Sequence, residues 1–392
     1  METPVETPKP ARRPAAKTAS RKKLAKVVGQ EAKTPTDRAT KATRLPQVAV
    51  AVLGTNPPSP SPLFQSRTVL PLTLSLPLAE LIAAKEAWVA ADKQGEKPAI
   101  RSGRVQLPEG EAEVRLKIRG NSSLAAYTWP KLGLRLPDEV PPALRGLKSV
   151  NLINHTFADF DEVSHRLPWR EATAYAVLES MGIPTLKARA AQVRYQDDSP
   201  GPGRLKAQSH PALLVEDDKD AAVRYGGVSV DLAALHVIEP PVVLPMKDVL
   251  RLELAQRLLG NRDFQLFYEA DGPKNAKVTS VWNFDAIELP AGPGGQRRAQ
   301  LLASDFDRTN WVSMPLHFNA GEVFAWIEQA YWNHPKPTLE AIKSILGTKA
   351  AVLKTIKELP LDDEAKAQLP LRAKAYFDLL AKFLKKPTPK PE

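Results

Sequence analysis

The chain has 392 residues, 43% hydrophobic and 25% charged, an ordinary globular balance with room for one large catalytic domain or two smaller ones. With no cysteine, disulfides, thiolate metal sites and cysteine nucleophiles are excluded. The net charge of +11 is local: residues 1–46 hold twelve Lys/Arg against four Asp/Glu, and the other 346 residues sum to only +3.

Residues 1–63, rich in Pro, Ala, Lys, Thr and Ser, read as a disordered basic arm and linker. Because no aromatic residues interleave with the cations, a solvated tail without a specific nucleic-acid partner is the first reading, and electrostatic contact with an anionic surface, nucleic acid or lipid, the functional alternative. The apolar run at Val48–Leu53 is too short and too far from the start for a standard signal peptide. No run reaches the 18 or more apolar residues of a membrane span. A folded domain is expected over 64–385, with a Lys/Pro tail over 386–392.

In that domain Val69–Leu76 alternates like a strand, and Leu78–Ala91 has helical spacing. Ile100–Leu107 and Glu111–Ile118 form a hairpin around Pro108-Glu109-Gly110. Strands follow at Lys131–Leu136 and Ser149–Ile153. Arg166–Met181 is a helix with Pro168 in its first turn and Gly182 at its stop. Further strands fall at Ala188–Tyr195, Ala212–Glu216, Lys277–Leu289 and Gln300–Ser304, with a helix at Asp248–Leu259 ending on Gly260. Helices dominate from Gly321 onward. The pattern is α+β, with a β-rich first half and a mostly helical second half.

The stretch from Leu258 to Trp311 carries most of the chemistry. It contains Gly260-Asn261-Arg262-Asp263, then Trp282-Asn283-Phe284-Asp285, then Asp305-Phe306-Asp307-Arg308. Acidic groups beside apolar lead-ins need a partner, and a divalent cation is the obvious one. If Asp305 and Asp307 lie in a strand, both carboxylates point to one face and repel unless a cation or Arg308 intervenes. A strand-end turn whose aspartates cap local backbone groups is the plainer reading. Asp263 after Gly260 also suits a turn or helix cap, and Asn283 a buried backbone partner. The six histidines provide no His-x-x-x-His pair, and no Gly-x-Ser-x-Gly elbow is present.

Several of these pieces, in this order, resemble the CotH kinase family. Glu113-Val114-Arg115-Leu116-Lys117-Ile118-Arg119-Gly120-Asn121-Ser122-Ser123 is similar to that family's strand and Arg-Gly-Asn-Ser turn. Leu147-Lys148-Ser149-Val150-Asn151-Leu152, the helix ending in Gly182-Ile183-Pro184, and Leu213–Asp218 resemble its following segments. The similarity spans about residues 64–380. It implies a divergent protein-kinase-like fold that binds ATP with Mg2+ or Mn2+ and phosphorylates Ser/Thr of a protein or a small acceptor. It also implies export, against a cytoplasmic alternative that follows from the absence of a visible signal peptide.

Under that resemblance Asp263 is the catalytic base, and Asn283, Asp305 and Asp307 are metal ligands. Lys131 or Arg135 faces the phosphates, Glu216 lies near the nucleotide, and the turn with Arg119 and Asn121 covers the phosphates. The family places an Asn shortly after the catalytic Asp, whereas Phe264-Gln265-Leu266-Phe267-Tyr268 has none. That departure favours the alternative of a non-catalytic coat or envelope assembly protein. Plainer readings stand beside the rest: Lys131 as an exposed lysine on Trp129, Glu216 in a solvated acidic loop, and Arg119–Ser123 as an ordinary β-turn. A metal-dependent glycosyltransferase with an Asp-x-Asp motif is a third class.

Overall fold

The computed structural model describes residues 49–51, 57, 61–92, 98–120, 128–154, 166–230, 237–261, 263–292, 295, 297–307, 309–312 and 319–386. The expected α+β organisation is present, strands filling most of the first half and helices closing the chain. Strands β2 (Leu70–Leu76), β3 (Arg101–Leu107), β4 (Gly110–Arg119), β5 (Lys131–Arg135), β6 (Ser149–Ile153), β7 (Ala188–Asp197) and β8 (Gln208–Glu216) form a barrel. Its order is β2-β3-β4-β5-β6-β8-β7, closed by parallel pairing of β2 with β7.

Period-two alternation explains the barrel interior. Leu74, Leu116, Ile118, Leu132, Leu134 and Leu152 point inward and are buried, while Lys131, Gly133 and Arg135 alternate with them along β5. Trp129 is also turned inside, edge-on to Tyr195 at 4.6 Å and to His210 at 4.4 Å. It therefore does not support Lys131 as an exposed strand residue. Helix α1 (Leu78–Ala90) adds Leu78 and Leu81 to the same core.

Helix α2 (Leu167–Ser180) packs on the outer face of β7 and β8, where Ala190, Leu213 and Val215 belong to a second core. Beyond it lies a seven-stranded sheet of order β11-β12-β10-β1-β14-β13-β9. Its strands are β1 (Ala49–Ala51), β9 (Val228–Val230), β10 (Val237–Pro245), β11 (Gln265–Asp271), β12 (Asn275–Trp282), β13 (Phe284–Leu289) and β14 (Arg298–Ala303). Short helix α3 (Asp218–Arg224) follows β8, and α4 (Met246–Leu259) follows β10. Helices α5 (Ala320–Asn333), α6 (Pro335–Leu346), α7 (Lys349–Glu358) and α8 (Asp363–Lys385) complete the core.

Two boundaries differ from expectation. The linker expected over 1–63 contributes β1, which pairs in parallel with both β10 and β14, and Leu63 is fully buried. An uninterrupted apolar run is what a central parallel strand requires, so Ala49–Ala51 is sheet and not linker. The expected strand Lys277–Leu289 is two strands broken at Asn283: β12 pairs with β10 and β11, β13 with β14 and β9. The expected tail lies beyond the described residues from 387 onward.

Candidate functional site

The site begins where β5 faces the turn after β14. Lys131, its side chain only 12% exposed, places Nζ 3.3 Å from Asp307 Oδ2. Burial alone would lower its pKa, but the Asp307, Asp305 and Glu171 carboxylates outweigh burial and raise it. The ammonium therefore stays charged throughout the physiological range. Arg135, at the far end of the same strand, is exposed, about 13 Å along β5 from Lys131 at the usual strand rise. Of the two basic residues, Lys131 is the one brought to the carboxylates.

The Asp305-Phe306-Asp307 segment does not continue the strand. β14 ends at Ala303, and Asp305 adopts φ 55°, the left-handed region. The two carboxylates approach each other through a turn and not through strand alternation. Helix α2 holds that turn: the Asp305 N–H donates to the Tyr175 hydroxyl at 3.1 Å, and the Phe306 N–H to Glu171 Oε1 at 3.4 Å. The Phe306 ring meets Tyr175 edge-on at 4.6 Å. Dense protein surroundings, then the Asp307 carboxylate, push the Asp305 carboxyl up to about 7. Asp305 nonetheless keeps an exposed face, so solvent screening moderates the energetic cost. Burial, then Glu171 and Asp305, hold the Tyr175 hydroxyl well above its ordinary pKa, leaving it neutral to accept that N–H.

Asn283 and Asp263 enter from the neighbouring sheet. Asn283 sits at φ 60° between β12 and β13, and its carbonyl accepts the Ser304 N–H at 3.1 Å. Its carboxamide donates to the Asp263 carbonyl at 3.2 Å and more weakly, at 3.5 Å, toward Asp263 Oδ2. Asp263 is held in turn by its N–H donating to Asn261 Oδ1 at 3.0 Å, an Asx turn. Gly260 ends α4 in the left-handed conformation, φ 61°, and the Asn310 and Trp311 N–H groups donate to the Gly260 and Leu259 carbonyls. The three pieces of the Leu258–Trp311 stretch thus converge.

Other expected members lie elsewhere or do other work. Arg119 stands directly across from Lys131 in the β4–β5 ladder. Its guanidinium bonds to Asn151 and forms an ion pair with Asp217 at 3.0 Å, so it is engaged with β6 and the start of α3. Glu216 is not in a solvated loop and does not open to the site: it is fully buried against Arg224 at 2.7 Å and accepts the Lys187 N–H at 3.0 Å. That pair fastens β8, α3 and the start of β7 together. Asn121 lies outside the described residues.

Sequence reasoning missed Glu171, Tyr175 and Asp285. Asp285 is raised to about 6 by burial, despite a hydrogen bond from Ser304 and the Arg119 charge nearby. The available signal for Glu171 was a charged residue immediately before Ala172–Leu178, a helix segment apolar nearly all round. Among the described residues here, acidic groups outnumber Lys131 and Arg119. Among the described residues, however, no three or more His, Asp or Glu side chains converge as a metal-holding group.

No helix among the described residues is long and apolar enough to cross a membrane. No family model matches the chain, and no curated protein is significantly similar to it.

Proposed function

We propose that the chain is a protein-kinase-like, nucleoside-triphosphate-binding protein of the type the CotH resemblance implies, using ATP and Mg2+ or Mn2+. The observation that supports it most is the Lys131–Asp307 contact backed by Glu171 from α2. A strand lysine, a helix glutamate and an Asp-x-Asp turn from three separate elements are the parts phosphoryl transfer needs to neutralise and orient phosphates.

The donor set fits a hard divalent cation. Asp305 and Asp307 crowd each other, and among the described residues Lys131 faces three carboxylates, Asp307, Asp305 and Glu171. Mg2+ commonly takes one or two carboxylates and completes its shell with phosphates and water. Asp305 and Asp307, with the Asn283 carboxamide oxygen, would hold the ion, and when bound it would offset the charge of the phosphate oxygens. Lys131 would exchange Asp307 for a phosphate oxygen as donor. Asp263 would accept the proton of the acceptor hydroxyl, a protein Ser/Thr or a small molecule. Glu171 and Tyr175 would hold the Asp305–Asp307 backbone in register.

The deciding experiment is thermal melting of the full chain with ATP, with and without Mg2+ or Mn2+, in wild type and in Asp305→Ala and Lys131→Ala. A ligand that binds the folded state raises the melting temperature by mass action. A metal-dependent rise lost in both variants is expected; no rise at millimolar ATP rejects the reading. The Asn283 carboxamide donating toward Asp263 favours a second reading, a non-catalytic assembly protein on the same scaffold. ATP binding without turnover would select it.

A further inference from the structure

A cavity of about 520 Å3 opens beside the Asp263 segment, between α4, the start of β11 and the start of α5. That volume falls within the roughly 300–1,000 Å3 typical of small-molecule sites. Its floor is made by buried Glu253, Asn261 and Arg372, and its rim by exposed Gln265, Asn319 and Glu322. Phe264, Leu266 and Val323 provide an apolar wall. Asn261 and Phe264, two of its lining residues, lie in the same turn of the chain as Asp263, the residue assigned to receive the acceptor proton.

The lining chemistry selects among acceptors. Among the described lining residues two arginines, Arg257 and Arg372, are matched by two glutamates, Glu253 and Glu322, so these four side chains offer no net charge to an anion. What the cavity offers is a dense set of fixed planar donors and acceptors. Arg257 is held by Glu253 at 2.9 Å, while its buried Nε has no hydrogen-bond partner among the described residues. Asn261 is locked, its amide donating to Gln256 at 2.9 Å. Planar amide, carboxylate and guanidinium groups beside the apolar Phe264, Leu266 and Val323 match a ligand with vicinal hydroxyls and an apolar ring face. A serine or threonine side chain alone would leave most of this volume unfilled.

We propose that the cavity binds a small, uncharged polyhydroxylated acceptor, a monosaccharide or cyclic polyol. Its role as acceptor rests on the nucleotide-binding reading above. In that role the acceptor oxygen forms the new P–O bond and the bond to the leaving nucleoside diphosphate breaks. The hydroxyl proton passes to Asp263.

Saturation-transfer NMR on the full chain, with glucose, ribose and myo-inositol at ~10 mM each and without nucleotide or metal, tests the site. The expected result is transfer to at least one of the three, retained in Lys131→Ala and weakened by at least about tenfold in Gln265→Trp, where the exposed rim residue is enlarged to fill the mouth. Circular dichroism checks that each variant is folded. No transfer to any of the three, or transfer unchanged in Gln265→Trp, overturns the assignment. Phosphorus NMR with ATP and Mg2+ then reads the acceptor role through a new phosphomonoester. If ATP stabilises the chain but no polyol binds, the polyol proposal fails alone. If a polyol binds and ATP does not, the acceptor role falls.

Discussion

Asp305 concentrates the site's electrostatics in one residue. Its carboxyl titrates at about 7 in the folded chain, against an ordinary value of 3.8. Between those values the folded state holds a proton that the unfolded state has released, so stability falls as pH rises through this window. Above about 7 the favourable contribution is lost. Asp285, raised to about 6, acts with the same sign. Melting curves at pH 5 and pH 8 should therefore show a smaller pH-dependent loss in Asp305→Asn than in wild type; equal slopes would show that Asp305 is not the titrating group. Stabilisation by ATP with Mg2+ should grow over the same range, because the cation needs the ionised form. Glu216 gives a contrasting case. Removing one partner of a buried pair leaves the other charge uncompensated, at a cost of about 3–5 kcal/mol. Urea unfolding of Glu216→Gln should show a loss of that order, since Arg224 is 1% exposed.

At the scale of elements, α2 links the barrel to the second core and carries two buried charges facing different ways. Glu171 reaches the Asp305–Asp307 turn. Arg170 forms two 2.8 Å bonds to Asp362, at the N-cap of α8, and a 3.2 Å bond to Glu364. Arg170→Met should therefore destabilise by about 3 kcal/mol or more in urea unfolding while leaving Glu171 in place. The end of α4 is equally constrained. A Cβ on Gly260 would stand 2.9 Å from Asn310 Cβ, at a positive φ. Gly260→Ala should cost about 2 kcal/mol from left-handed strain plus crowding. Because the same turn sets Asp263, it should also weaken any activity more than stability alone predicts. An Ala variant as stable as wild type would show that the loop relaxes freely.

For the whole molecule, the decisive feature is that β1 fills a central place in the seven-stranded sheet. A chain starting at residue 64 lacks a strand paired on both sides, whereas one starting at 46 retains it. The shorter form should melt at a clearly lower temperature, or expose enough sheet edge to aggregate. Equal melting temperatures would mean that the β1 pairing adds little stability.

Local physics was legible in the sequence. Alternation marked the barrel strands, three-and-four spacing marked α1, α2 and α4, and Gly182 and Gly260 marked helix ends, because these signals depend on neighbours a few residues away. Asp263, Asn283 and the Asp305–Asp307 turn could be singled out by residue type. Long-range packing decided the rest. Glu216 and Lys131 both appear as charged residues near strands, yet one is sealed against Arg224 and the other faces Asp307, because only the closed barrel fixes which side each one meets. Glu171 and Tyr175 lie about 130 residues before the turn they hold, a separation no local pattern spans. Ala49–Ala51 was ambiguous in the sequence alone, since so short an apolar stretch becomes a strand only when partners cover both its edges. From the sequence alone came most of the barrel strands, the longer helices and the chemical types available; the fold in three dimensions decided which further segments pair as strands and which charges meet, because burial and pairing are properties of neighbours distant in the chain.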